Sequence, residues 1–221
     1  MNRVELKNKA KELVKGNKWY IWKPLVIFGL AIAIIEGIAV GLDFAFGFAK
    51  VETVNVLGVP TTQYSAGYIA MIVGIFTGIA SAAFQVGYAH YVLSFIRGVK
   101  LELKDVIEFM KKHWVISFTV GLVTGLIIAC GMILLVIPGI IAAIGLMYYK
   151  EVCADNPEMK TMDIVKKAWE MTKGHKMDLF VLGLSFIGWS ILASFTFGIL
   201  YIWLMPYMTV TLALAYEELK K

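Results

Sequence analysis

Charge is scarce in this 221-residue chain: 17% of its residues are Asp, Glu, Lys or Arg, where soluble domains carry about 25%. Proline appears five times and cysteine twice, at Cys130 and Cys153. The three histidines fall in no His-x-x-x-His or His-x-x-Glu spacing, and there is no Cys-x-x-Cys, so no metal-ligating pattern exists. A Gly-x-Ser-x-Gly elbow, a phosphate loop and a dinucleotide fingerprint are also missing. No catalytic residue, cofactor or metal is therefore expected. With 59% hydrophobic residues and a mean hydropathy of +0.75, the chain lacks the polar side chains that a water-facing surface needs. A soluble enzyme, a nucleic-acid-binding domain and a disordered tail are all excluded.

What is abundant is apolar sequence in long runs: 25–42, interrupted only by Glu36, then 66–84, 114–147 and 179–214. Runs of about 18 or more such residues read as transmembrane helices, and the last two are long enough for a pair each. The expected fold is an all-α membrane protein of six transmembrane helices in three hairpins. Basic residues then collect on one side, with seven in 1–23, five in 97–112, six in 150–178 and two in 217–221, and only Lys50 opposite. The positive-inside rule places both termini in the cytoplasm of a multi-pass inner-membrane protein. Segment 1–18 has no apolar core or small-residue cleavage site, so it is not read as a signal peptide.

Each hairpin is preceded by a short amphipathic stretch. Leu6, Ala10, Leu13 and Val14 share a face after Asn2, a plausible N-cap with Glu5 three residues on, and the stretch ends at Lys15-Gly16-Asn17-Lys18. A second stripe, Leu103, Val106, Ile107 and Met110, ends at Lys111-Lys112-His113. A third, Ile164, Val165, Ala168, Trp169 and Thr172, ends at Lys173-Gly174-His175-Lys176. One membrane domain, 1–221, with pseudo-repeat units 1–97, 98–155 and 156–221 is the resulting expectation. The three helices would lie at the cytoplasmic interface, lysines toward anionic headgroups. The alternative is that they pack on the protein's own loops.

The hairpins are expected at 20–46 with 68–96, at 114–136 with 139–149, and at 178–194 with 197–216. An external loop, 47–67, joins the first pair, and Ile137 and Pro138 separate the second. Pro138 and Pro206 are candidate helix breaks.

The C-terminal half carries Val136-Ile-Pro-Gly139, Ala154-Asp-Asn-Pro157, Trp169-Glu-Met-Thr-Lys-Gly-His-Lys176, Leu184-Ser-Phe-Ile-Gly-Trp189 and Met205-Pro-Tyr207. With Leu6-Lys-Asn-Lys-Ala-Lys11 near the N-terminus, these resemble the bacterial integral membrane family called domain of unknown function family 975. They are distantly similar to the membrane domain of some glycerophosphodiester phosphodiesterases. The resemblance implies a six-helix inner-membrane protein and supplies no catalytic residue.

Small residues recur every four positions in the first hairpin: Gly29, Ala33, Gly37, Gly41 and Ala45, then Ala66, Ala70, Gly74, Gly78 and Ala82. Such ladders let helix backbones approach in lipid. They are expected to pack within the chain or at a subunit interface; Gly121, Gly125 and Ala129 form a weaker third. Glu36 lies about 20 Å beyond Lys23 along a helix, where a carboxylate must face protein or water. Gln85 reaches a similar depth on the next span, with His90 nearer the cytoplasm and Asp43 near the outer headgroups. Glu36, Gln85, His90 and Asp43 form a candidate intramembrane polar site, either a proton or cation site or a structural carboxyl hydrogen-bonded to Gln85 or a carbonyl.

The functional expectation is a non-enzymatic accessory or packing subunit, or a bilayer-associated factor. Its partners would be anionic lipid and a membrane protein or second copy, with no nucleic acid. The alternative is a small transporter or immunity-type exporter using Glu36, Gln85 and His90. A membrane-embedded lipid enzyme is disfavoured, since the six acids of 150–178 are matched by six lysines rather than clustered.

Overall fold

The computed structural model describes residues 2–56, 59–65, 67–196 and 198–221. Nine helices and one two-stranded sheet are found among them. The chain divides into two compact units, Lys23–Ser81 and a larger one formed by Met1–Trp22 with Ala82–Lys221. Five described helices are long and apolar enough to cross a membrane: Lys18–Ala45, Tyr68–Ile96, Leu103–Leu134, Val136–Asp155 and Lys176–Phe195. The protein is membrane-embedded. The last helix, Tyr201–Leu219, is not among the five; Pro206, two threonines and the Glu217–Glu218 pair dilute its apolar character.

In the larger unit, α1 (Arg3–Val14) begins at Asn2, whose Oδ1 accepts the Glu5 amide at 3.3 Å. It ends in a type II turn. Lys15 has φ −61° and ψ 114°, Gly16 has φ +85°, and the Asn17 amide donates to the Val14 carbonyl at 3.0 Å. The helix α2 (Lys18–Ala45) starts immediately after. The junction between α7 (Thr161–Thr172) and α8 (Lys176–Phe195) is built the same way. Lys173 has φ −64° and ψ 128°, Gly174 has φ +86°, and His175 donates to Thr172 at 3.1 Å. The middle junction has no glycine, and there α4 (Leu103–Leu134) runs on through a kink at His113, φ −118°.

The apolar faces of α1 and α7 are covered by the chain itself. Leu6, Ala10 and Val14 are buried, with α1 packed on α9 (Tyr201–Leu219). Ile164, Val165 and Ala168 are buried as α7 packs on α4, α5 (Val136–Gly145) and α6 (Tyr149–Asp155). Thr161 meets Thr119 of α4, 2.9 Å between hydroxyls, so α7 lies alongside the apolar part of that helix.

Two helix breaks differ from expectation. α4 and α5 separate at Leu135, φ −159° and ψ 139°, not at Ile137 and Pro138. Pro138 lies in the first turn of α5, where a proline is tolerated because those amides have no helical acceptor. The two helices fold back closely, since a Cβ on Gly131 would come within 3.0 Å of the Gly139 backbone. Pro206, for its part, lies inside α9, which runs through it without interruption. A break that no proline marks occurs at Leu146–Tyr148, between α5 and α6. There the Gly145 carbonyl accepts the Thr172 hydroxyl of α7 at 2.9 Å. Apolar side chains at the α4–α5 tip are bare: Ile133 is 84% and Leu134 78% exposed.

In the smaller unit, the segment expected as an external loop contains β1 (Lys50–Val56) and β2 (Val59–Ser65). They pair antiparallel, Lys50 opposite Ser65 and Val56 opposite Val59, and the following helix is α3 (Tyr68–Ile96). Phe197, where the last span was expected to begin, lies outside the described residues.

Candidate functional site

Asp43 organises the smaller unit. Its carboxylate accepts the amides of Ile69 at 3.0 Å and Ala70 at 2.7 Å, capping the first turn of α3 from another helix. Its carbonyl accepts the amides of Phe48 and Ala49 at 2.8 and 3.1 Å, fixing the approach to β1. Asp43 is thus fully buried, not solvated among outer headgroups as expected. Gly67 permits this, because any Cβ there would collide with the Asp43 carboxylate.

Glu36 accepts the Thr77 hydroxyl of α3 at 2.9 Å. Thr77 is buried whereas Glu36 is exposed. Its partner is therefore neither Gln85 nor a backbone carbonyl. Gln85 and His90 belong to the other unit. Gln85 is exposed, and His90 stacks on Phe109, ring centres 4.6 Å apart. Phe109 in turn meets His113 at 4.8 Å. The structure joins Glu36 to Thr77 in one unit and His90 to an aromatic pair in the other.

The small-residue ladders stand in the open. A Cβ added at Gly29, Gly37, Gly41, Gly74 or Gly78 would meet nothing within 4 Å. Ala33 is exposed, and Ala70 and Ala82 are half-buried. Ladder packing within the hairpin is not what the structure shows: the hydrogen bonds of Asp43 and Thr77 join the two helices, while these glycines touch no neighbouring element. Gly121 and Gly125 are equally open. Ala66 lies outside the described residues.

A polar cluster that the sequence reading missed sits in the larger unit. Arg97, just past α3, donates from both terminal nitrogens to Asp155 at 2.8 Å. Its Nε donates to Glu217 at 2.9 Å. The Tyr216 hydroxyl and the Lys220 ammonium also donate to Asp155, at 2.9 and 2.7 Å. The Asp155 side chain is only 6% exposed, and the paired carboxylates of Asp155 and Glu217 raise the already high Arg97 pKa further. One knot therefore ties the ends of α3, α6 and α9. The only sequence signal was charge at the ends of three apolar segments, which carries no pairing information. Elsewhere in this unit, Lys7 of α1 donates to Ser185 of α8 at 2.6 Å. Burial, then Lys11 and Arg3, lowers its pKa.

No described group of three or more His, Cys, Asp or Glu could hold a metal ion. The cysteines are unpaired, Cys153 buried and Cys130 exposed. Trp19, Trp114 and Trp203 are exposed.

Apolar helices with bare tips, bases joined by ion pairs and no clustered reactive groups among the described residues define a polytopic membrane protein. Residues 117–221 match the model of a family described as protein of unknown function (DUF975). No curated protein matches the chain. No solved structure matches it either.

Proposed function

We propose that the chain is a non-enzymatic inner-membrane subunit with cytoplasmic termini that assembles through the small-residue face of α2 and α3. The observation that carries this reading is the open space beside Gly29, Gly37, Gly41, Gly74 and Gly78. Close-approach ladders contribute through van der Waals packing only when a helix lies on them, so a second copy or another membrane protein is the natural cover. Glu36, exposed on the same hairpin, would be shielded by the same contact; left in lipid, it would cost ~2.5–3.5 kcal/mol or more.

Disulfide or photo-crosslinking in native membranes, with probes at Gly37 and Gly78, tests it. A crosslinked complex that Gly37→Leu with Gly41→Leu abolishes supports the reading. No complex, or one indifferent to these substitutions, defeats it.

The sidedness rests on 20 of 21 basic residues falling opposite the 47–67 segment. A cysteine at Thr62 should react with an impermeant maleimide in intact cells, and one at Lys104 or Lys166 only after permeabilisation. The three-unit reading draws support from the two matching type II junctions after α1 and α7. Because the apolar faces of these helices are covered, exposed lysines such as Lys9, Lys11 and Lys166 would meet the headgroups.

A transporter reading draws on the Glu36–Thr77 hydrogen bond alone. Proteoliposome flux abolished by Glu36→Gln would favour it over the assembly role.

A further inference from the structure

Trp169 stands between two adjoining clefts in the larger unit. One, of about 610 Å³, is lined by Trp169, Lys173, Gly174, Lys176 and Met177 together with Glu170. The other, of about 260 Å³, is walled by Ile127, Leu146 and Val165 beside the same tryptophan. The first is basic at its rim, the second almost wholly apolar.

The tryptophan is held firmly between them. Gly145 leaves room for its ring, which any Cβ there would strike. Thr172, one turn along α7, is fastened to the Gly145 carbonyl. The Lys176 ammonium lies 3.2 Å from the ring centre, an arrangement that orients the cation without neutralising it. Neither Lys173 nor Lys176 forms an ion pair with a carboxylate among the described residues. With Lys166, three lysines face one glutamate, Glu170, around the paired clefts.

We propose that these clefts bind one anionic phospholipid. Its phosphate lies between Lys173 and Lys176, and an acyl chain passes over Trp169 along Ile127, Leu146 and Val165. Two unpaired ammonium groups supply the charge complement, since lysine is a compact donor suited to phosphate. Tryptophan suits the boundary between headgroup and chain. The apolar second cleft selects an amphiphile over a free anion. The site uses no residue of α2 or of the smaller unit, so it stands or falls apart from the assembly reading.

Native mass spectrometry of the detergent-purified full chain tests it, titrating phosphatidylglycerol against phosphatidylcholine with matched acyl chains. One phosphatidylglycerol should be retained in preference. Lys173→Gln with Lys176→Gln should weaken that binding about tenfold, while Lys173→Arg with Lys176→Arg retains it. Trp169→Leu should weaken retention of both lipids. Equal retention of phosphatidylcholine, an unaffected double glutamine variant, or complete displacement of the lipid by inorganic phosphate would each overturn the proposal.

Discussion

Three glycines of the larger unit do work that the ladder glycines of the smaller unit do not. In Lys23–Ser81, Gly29, Gly37, Gly41, Gly74 and Gly78 border empty space, whereas Gly67 is pressed against Asp43. In the larger unit, Gly131 and Gly139 bring two helix backbones together, and Gly145 receives the Trp169 ring. The four-residue ladder of the larger unit, Gly121 and Gly125, is as open as those of α2 and α3. Whether a glycine is used inside the chain depends on whether a neighbouring element arrives. α5 folds back on α4 through a one-residue break, so its glycines are consumed. α2 and α3 are bridged at Asp43 and Thr77, which leaves their glycines available. The lesson is that a glycine determines the fold where a backbone or ring arrives against it and is open surface where none does.

The largest expected effect lies in the ion knot of the larger unit. Asp155→Ala should strand Tyr216 and Lys220 and leave Arg97 with Glu217 alone, costing about 3 kcal/mol. That would be read as a melting temperature lower by roughly 6–12 °C in detergent. Arg97→Lys sharpens the point through pH. A cation whose pKa is raised by folding stabilises below its unfolded value and loses that contribution only as pH passes the folded value. With arginine this lies beyond the working range, so melting should be flat from pH 7 to about 10. With lysine, stability should begin to fall as pH rises through about 10.4.

The glycine contrast is tested next. Gly139→Val must displace Met132 and its backbone and should cost about 2 kcal/mol. Gly37→Val should change monomer stability by no more than about 0.5 kcal/mol while altering assembly. Equal destabilisation by the two would erase the distinction between the units.

Smaller still, Asp43→Ala removes the cap on α3 and should cost about 1 kcal/mol, seen as faster proteolysis within 46–67. Thr77→Val, which deletes one hydrogen bond to an exposed carboxylate, should cost about 0.5 kcal/mol. A larger loss would mean that Glu36 is shielded more than the single chain shows.

Much was legible in the linear chain because its signals are local. The start of α1 could be read from Asn2 and Glu5, its end from Gly16, and the kink in α4 from the basic run at Lys111, Lys112 and His113. The β-hairpin escaped because Pro60, Thr61 and Thr62 read as loop, and two strands alone bury little that a hydropathy pattern could register. Asp43 was misplaced because depth along a helix says nothing of which amides will lie opposite its carboxylate. The knot at Arg97 was invisible because its members come from residues 97, 155, 216, 217 and 220.

By itself, the sequence determined that this protein lives in a membrane, which ends of its helices are basic, and where helices start and stop, since hydropathy, charge and capping act over a few residues. Only the tertiary structure decided that Asp155 gathers Arg97, Tyr216 and Lys220, that Trp169 sits on Gly145, and that the glycines of α2 and α3 remain bare. Those outcomes depend on which distant surfaces meet, and no local spacing encodes that.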